Sequence, residues 1–233
     1  MKKLKSATDS DLISPREFNK RYRKWLSKHN DTIQKLTEIT NENKVSWGSY
    51  IEEVAIKYAN NIAVKFEDEE ITYKEFNESV NQFSHFFLSI GLGKGDIIEV
   101  LLPNRTEYLY IFSAAAKIGA VVSLINIDLR ERSLIHSIKL TPGKCIIIDE
   151  DCFESFTQVK ELLDLKKEQM LLFLPSRDKI KISEDFVDIS KLVIKQSREN
   201  PSTTLNVKTN DPLAYIFTSG TTGISKASIL IHN

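Results

Sequence analysis

Apolar residues form two kinds of pattern along residues 46–233, and the pattern changes from one segment to the next. Phe76, Val80, Phe83 and Phe87 recur three to four positions apart, which is the spacing of one face of a helix. Residues 97–102 are instead a short and nearly continuous apolar run, which is typical of a buried strand. The two patterns then alternate along the chain.

This alternation predicts an α/β fold. Thr72 followed by Glu75 is a capping-box signal for a helix start, and Gly91 is suited to end that helix. The predicted elements are, in order, helix 49–59, strands 62–66 and 70–73 joined as a hairpin, helix 72–90, strand 97–102, helix 106–118, strand 121–125, helix 131–140, strand 144–149, helix 152–165, strand 170–174 and strand 214–217. Residues 177–210 are polar and predicted to be irregular. Helices and strands at this spacing indicate parallel βαβ units.

Residues 1–45 differ in character and form a separate basic extension. After Ser14-Pro15, aromatic and aliphatic residues recur at a period near 3.6 up to residue 36, which predicts an amphipathic helix. Basic residues crowd the other positions: Arg16, Lys20, Arg21, Arg23, Lys24 and Lys28. Three interpretations remain open, namely packing on the main domain, peripheral docking of residues 14–36 on an anionic membrane surface, and binding to a partner protein.

Composition narrows the class of protein. The chain has 233 residues, 41% of them hydrophobic, and its formal net charge is zero, which gives no support for nucleic-acid binding. The two cysteines, Cys145 and Cys152, fit neither a zinc pair nor a disulfide framework, so a reducing, cytoplasmic location is expected. No stretch approaches the roughly 18 apolar residues of a membrane span, and the N-terminus lacks the apolar core of a secretory signal.

The segment with evident chemistry is Tyr215 to Ala227, in which an apolar strand leads into small and hydroxylated residues and then a lysine. Glycines allow close approach of the backbone, exposed N–H and O–H groups donate to phosphate oxygens, and a lysine adds positive charge. A polyphosphate-binding loop is therefore predicted. It is not a Walker loop, which has glycine directly before the lysine and Ser or Thr after it. The glycines at 91, 93 and 95 follow a helix rather than a strand, so they are interpreted as a connecting turn.

The letters YIFTSGTTGISKASI resemble the phosphate-binding motif of the adenylate-forming superfamily, usually T-S-G-(S or T)-T-G-x-P-K-G. This superfamily includes acyl-CoA synthetases, luciferases and peptide-synthetase adenylation domains. Ser225 stands where proline is usual and Ala227 where glycine is usual, and neither change removes a phosphate donor. The resemblance covers residues 46–233. The stretch Leu124 to Arg130 is similar to the L-I-N-x-N-L-R of the very-long-chain acyl-CoA synthetase and fatty acid transport protein branch.

The resemblance implies a fold, a reaction and a set of site residues. The fold is the N-terminal portion of the adenylate-forming large domain, with mostly parallel sheets flanked by helices and incomplete here. The reaction joins a long- or very-long-chain fatty acid to coenzyme A through an acyl-adenylate, using ATP and Mg²⁺. The implied contacts to the ATP phosphates are Thr218, Ser219, Gly220, Thr221, Thr222, Gly223 and Lys226, and no catalytic or metal-binding side chain is assigned. His232 is placed at the acyl pocket.

The resemblance also implies what lies beyond this chain. In the family, the adenine, ribose and magnesium sites and a small C-terminal domain with a catalytic lysine follow the phosphate loop. We therefore expect residues 46–233 to be the first part of an AMP-binding domain, and inactive alone. Two alternatives stay open: an adenylate-forming enzyme for another carboxylic acid, or a non-catalytic remnant or binding domain. His85, His136, Asp128 and Arg130 are given no functional role.

Overall fold

The computed structural model describes residues 15–28, 45–175, 182–218 and 225–232 of the chain. The chain divides into two compact units, residues 1–40 and residues 41–233. The first unit contains the helix α1, Pro15–Lys28, which confirms the first part of the predicted basic helix. The predicted continuation to residue 36 lies outside the described residues. None of the described helices is long and apolar enough to cross a bilayer.

The second unit opens with two helices and a hairpin. Helix α2, Trp47–Lys57, starts at Ser46, whose side chain accepts a hydrogen bond from the Ser49 N–H. Strands β1, Ile62–Phe66, and β2, Glu69–Thr72, pair in antiparallel fashion and form their own two-stranded sheet. Helix α3, Tyr73–Ser89, has the capping box that the sequence predicted at Thr72 and Glu75.

A seven-stranded sheet forms the centre of the second unit. Its strands, in chain order, are β3, Ile97–Leu101; β4, Val121–Leu124; β5, Cys145–Ile148; β6, Met170–Phe173; β7, Phe186–Asp188; β8, Pro212–Thr218; and β9, Lys226–Ile231. They lie side by side in the order β7-β6-β5-β3-β4-β8-β9. All neighbouring pairs are parallel except β8 with β9, which is antiparallel. The predicted mostly parallel α/β fold is therefore confirmed.

Helices cover both faces of this sheet. Helix α4, Thr106–Ile118, packs with α2 and α3 against one face, in a core that includes Phe87, Ile111 and Ile147. Helices α5, Glu131–Leu140, and α6, Glu150–Lys160, pack against the other face, in a core that includes Leu134 and Phe156. The alternating side chains of the buried strands supply both cores, because successive residues of a strand point to opposite faces.

Four parts of the predicted pattern need correction, and the first is strand β9, Lys226–Ile231, which the pattern did not predict. The segment predicted as irregular contains the edge strand β7, a short helix α7, Ser190–Val193, and a 3-10 helix, Ser202–Asn206. Helix α6 begins earlier than predicted because Asp149 is its N-cap and accepts hydrogen bonds from the N–H groups of Asp151 and Cys152, and it ends at Lys160, five residues before the predicted end. The second hairpin strand ends at Thr72 because the backbone turns there into α3. The remaining boundaries agree within a few residues.

Candidate functional site

The predicted phosphate loop lies between two adjacent strands at the edge of the sheet. Strand β8 runs parallel to β4, and β9 then returns antiparallel to β8. In this ladder Thr218, the last residue of β8, is the partner of Lys226, the first residue of β9. The loop therefore joins a strand to a strand, whereas a Walker loop leads from a strand into a helix. The pairing of β8 with β9 fixes the positions of both ends of the loop.

This pairing brings together two of the seven predicted phosphate contacts. Thr218 and Lys226 are both exposed and lie side by side at the carboxyl end of β8. The other five, Ser219, Gly220, Thr221, Thr222 and Gly223, lie outside the described residues. A hydroxyl and an ammonium group at one exposed strand end can donate to the same anion, since phosphate oxygens accept several charge-assisted hydrogen bonds.

A crevice of about 420 Å³ opens at the same edge of the sheet. Its walls are the segments that follow β3 and β4 together with the end of β8, including Asn104, Asn126, Asp128 and Phe217. The chain leaves β3 for α4 on one face and leaves β4 for α5 on the other, so the crevice lies at a topological switch point. Open parallel sheets bind ligands in this kind of crevice.

Asp128 and Arg130 have a conformational role beside this crevice. The Asp128 N–H donates to the Asn126 side chain, and the Arg130 guanidinium donates to the carbonyls of Ile127 and Leu129. These contacts close a turn between β4 and α5. Both residues therefore take part in a turn, and neither is predicted to have a functional role.

On the α5 face, an open groove of about 740 Å³ runs between that helix and the β8–β9 hairpin. Tyr215, Ala227 and Ile229 supply apolar lining, and Lys226 lies at the groove as well. His136 of α5 reaches across to the hairpin, where its Nε2 lies 3.0 Å from the carbonyl oxygen of Ser225. Sequence reasoning gave His136 no role, because residues 136 and 225 are distant in sequence and only the fold brings them together.

His232 lies at the other end of the hairpin from the predicted phosphate contacts. Ile231 pairs with Pro212 at the start of β8, so His232 is about 20 Å of extended strand away from Lys226. Its Nδ1 accepts a hydrogen bond of 3.1 Å from the Trp47 N–H, one of the N–H groups left open at the start of α2. Burial, with a smaller contribution from Lys94, lowers the pKa of His232 to about 4 against the opposing effect of Asp211. The imidazole is therefore neutral at pH 7.

Metal-binding side chains are not clustered in the described part of the chain. No group of three or more His, Cys, Asp or Glu residues there has an arrangement that could hold a metal ion. Both cysteines are buried thiols, and burial is the main cause that raises the pKa of Cys152 to about 12.

Comparison with known protein families decides the class of this strand–loop–strand site. The sequence matches the family described as "AMP-binding enzyme" over residues 51–233. The chain belongs to the AMP-binding enzyme family. Its match begins within α2 and includes the complete seven-stranded sheet together with the predicted phosphate loop.

Proteins with sequences similar to this chain include fatty-acid ligases and fatty acid transport proteins. The medium/long-chain-fatty-acid–CoA ligase FadD6 of Mycobacterium tuberculosis is 26% identical over 193 residues, which are 82% of this chain and 30% of the relative. Long-chain fatty acid transport protein 1 of Rattus norvegicus is 30% identical over 166 residues, covering 70% of this chain and 25% of the relative. The chain thus spans less than a third of these relatives' length.

Solved structures of CoA ligases have the same fold. The anthranilate CoA ligase AuaEII, solved in complex with anthranoyl-AMP, superposes with a TM-score of 0.71 at 16% identity, covering 84% of this chain and 36% of that one. A fatty acyl CoA synthetase from Mycobacterium tuberculosis superposes with a TM-score of 0.67 at 20% identity, covering 80% and 34%. At this level of identity the likeness establishes the fold, which is that of the N-terminal part of these enzymes.

Proposed function

We propose that this chain is the phosphate-binding part of an ATP-dependent fatty acid:CoA ligase. The observation that carries the proposal is the pairing of Thr218 with Lys226 at the carboxyl end of β8, in a chain of the AMP-binding enzyme family. The fatty-acid ligases and transport proteins among its relatives support a fatty acyl substrate. In this reaction the acid's carboxylate attacks the α-phosphate of ATP and releases pyrophosphate, and the coenzyme A thiol then displaces AMP.

The role of Lys226 and Thr218 in this reaction is electrostatic. The β- and γ-phosphates leave as pyrophosphate, and their negative charge must be stabilised while the acyl-adenylate forms. An ammonium group and hydroxyls that are already in position lower this barrier without bonding covalently to substrate. Ser219, Gly220, Thr221, Thr222 and Gly223 would add backbone and hydroxyl donors from the loop itself.

Mg²⁺ would reach this site bound to the nucleotide. The described part of the chain offers no carboxylate cluster for the ion, and Mg²⁺ commonly binds through substrate phosphates and water. When bound, the ion neutralises part of the phosphate charge. The chain's own contribution is then to hold the phosphate groups against the strand ends.

Binding of Mg·ATP to the purified chain tests this role. We expect millimolar affinity in a ligand-detected NMR titration, because the proposed contacts are to the phosphates alone and the chain spans less than a third of its relatives' length. Lys226→Ala should weaken the binding at least tenfold, since a charge-assisted hydrogen bond contributes about 1.5–3 kcal/mol. Lys65→Ala, which removes an exposed strand lysine of β1, is the matched control and should bind as the parent chain does.

The same titration distinguishes the alternatives. Micromolar affinity would indicate a complete nucleotide site and would favour a stand-alone binding domain over part of an enzyme. Absence of binding, or equal binding by Lys226→Ala, would remove the phosphate-binding role. His232 stays a predicted border of the acyl pocket. Fatty-acid binding by a His232→Ala variant tests that role. Weaker binding is expected if His232 borders the pocket, and unchanged binding would leave only its contact with α2.

We further propose that the protein is cytoplasmic and contacts membranes peripherally through residues 14–36. In α1, the rings of Phe18, Tyr22 and Trp25 stack in sequence, with centroids 6.0 and 6.4 Å apart. They are 55%, 49% and 51% exposed. Six basic residues share the helix with one acidic residue, Glu17, which pairs with Arg21. Aromatic side chains suit the interfacial region of a bilayer, and each basic residue near an anionic leaflet contributes about 1 kcal/mol.

Co-sedimentation with vesicles tests the membrane contact. The chain should sediment with vesicles that contain phosphatidylglycerol, less so at high salt, and weakly with pure phosphatidylcholine, because salt screens the basic residues. A variant lacking residues 1–45 should stay in the supernatant. Phe18→Ala/Tyr22→Ala/Trp25→Ala should keep the salt dependence but bind less. Equal sedimentation of the truncated variant would exclude α1 as the anchor.

A further inference from the structure

We propose that His136 is a positioning residue for Lys226, which it holds in place through the carbonyl group of Ser225. The inference rests on the proposed role of Lys226 in phosphate binding. Its observation is the 3.0 Å contact between His136 Nε2 and the Ser225 oxygen across the groove between α5 and the hairpin. All three residues belong to the described part of the chain and line the same groove.

Lys226 needs a restraint of this kind because of its place in the sheet. It is the first residue of β9, and β9 is the outermost strand, paired only with β8 in the described sheet. The ladder therefore holds Lys226 from one side, through Thr218. Residues at the end of an edge strand lose their pairing more easily than residues inside a sheet. The contact from α5 supplies a second point of attachment from a different element.

The chemistry of the contact fixes its direction. A carbonyl oxygen can only accept a hydrogen bond, so His136 Nε2 carries the hydrogen and donates it. The Ser225 carbonyl and the Lys226 N–H belong to one planar peptide unit, which is trans here. Fixing the carbonyl toward α5 therefore points the Lys226 N–H away from α5. One side-chain contact thus sets the orientation of the backbone at Lys226.

The donor itself is rigidly placed. Helix α5 is anchored in the core by Leu134 and Ile138, which lie two residues before and after His136 and are almost fully buried. His136 is half-buried at the rim of that contact. A donor on an anchored helix restrains its partner more than a donor on a loop does, because less conformational freedom remains to be lost when the bond forms.

His85 offers a matched control on the opposite face of the sheet. Its Nε2 lies 2.9 Å from the carbonyl oxygen of Glu199, so His85→Leu removes the same kind of hydrogen bond. That bond joins α3 to residue 199 and lies on the face away from α5. His136→Leu removes the donor at the hairpin, and His136→Gln keeps an N–H donor in its place.

Amide hydrogen exchange of the ligand-free chain tests the attachment. Peptides that contain residues 225–228 should exchange about two- to tenfold faster in His136→Leu, the range expected for the loss of one hydrogen bond. His136→Gln should restore slow exchange, and His85→Leu should leave these peptides unchanged. Unchanged exchange in His136→Leu, or equal acceleration in His85→Leu, would overturn the proposal.

Titration of the same variants with Mg·ATP tests the consequence. His136→Leu should bind about two- to tenfold more weakly than the parent chain, with recovery in His136→Gln and no change in His85→Leu. Parent-like affinity in His136→Leu would contradict a positioning role. Absence of Mg·ATP binding in the parent chain would count against the proposed function instead, and the exchange experiment would still decide whether His136 holds the hairpin.

Discussion

Glu99 places a carboxyl group in the middle of β3, the central strand of the sheet, without solvent exposure. Its Oε2 accepts hydrogen bonds from the Gly143 N–H and from the Gln169 side chain, at 3.0 and 3.2 Å. Oε1 has no partner among the described residues. Burial outweighs these two bonds and raises the pKa of Glu99 from 4.5 to about 8. The buried carboxyl group is therefore protonated at neutral pH.

Glu99→Gln should stabilise the protein increasingly as pH rises. The unfolded chain loses the Glu99 proton near pH 4.5 while the folded chain keeps it up to about pH 8, so the wild-type free energy of unfolding falls between these values. Gln carries no charge and avoids this loss. Relative to wild type, the variant should gain about 4 kcal/mol between about pH 5 and about pH 8.5. Urea denaturation at the two pH values measures the difference, and a pH-independent difference would contradict the protonated state.

Sequence patterns predict the strand that contains Glu99 but not the state of its side chain. A single acidic residue in the run from Ile97 to Leu102 is compatible with either face of a strand. Its burial depends on Gly143, which lies so close that a Cβ atom there would meet Glu99 Cγ at 2.8 Å. Contacts between residues this far apart in sequence follow from the topology, and no local pattern encodes them.

At the scale of elements, a buried lysine joins the helices of one face. Lys117 of α4 is fully buried, and its Nζ donates to the side-chain oxygens of Asn77 and Asn81 on α3 and of Asn200. It also pairs with Glu52 of α2 at 3.1 Å. Burial nevertheless lowers the pKa of Lys117 from 10.5 to about 8, against the opposing effect of Glu52. The network attaches the segment near residue 200 to α3 and α4.

Lys117→Met should change how stability depends on alkaline pH. The folded chain releases the Lys117 proton near pH 8 and the unfolded chain near pH 10.5, so this group makes wild type more stable as pH rises across that interval. The wild type should therefore gain about 3 kcal/mol relative to Lys117→Met over this range. Comparing the two proteins at each pH cancels the titration of other groups. A constant difference would show that the buried lysine is not titrating.

Long elements with a clear apolar repeat could be predicted from the sequence more accurately than short ones. Helix α3 was predicted well because its apolar repeat spans several turns and its start has a capping box. The three-residue strand β7 was missed, since it has only one buried residue, Phe186, and depends on pairing with β6. The return of the chain through the antiparallel strand β9 was also unforeseen, because residues 229–231 could continue a sheet in either direction.

At the scale of the whole molecule, the candidate site was predicted from one motif and completed by the fold. The motif predicted Thr218 and Lys226, and the hairpin places them side by side. The motif could not predict the contact of His136 with Ser225, or the hydrogen bond that His232 accepts from the Trp47 N–H at the start of α2. Both contacts join parts of the chain that are distant in sequence. The crevice at the switch point of the sheet likewise follows from strand order.

The central claim, a fatty acid:CoA ligase that binds ATP phosphates through this loop, is tested most directly by ATP–pyrophosphate exchange. The assay uses the protein translated from the complete coding sequence that contains this chain, with acids of graded chain length, aryl acids and amino acids. The account predicts exchange that peaks with long-chain fatty acids, falls at least tenfold in Lys226→Ala and is unchanged in Lys65→Ala. Highest exchange with an amino acid or aryl acid, or full activity in Lys226→Ala, would contradict it.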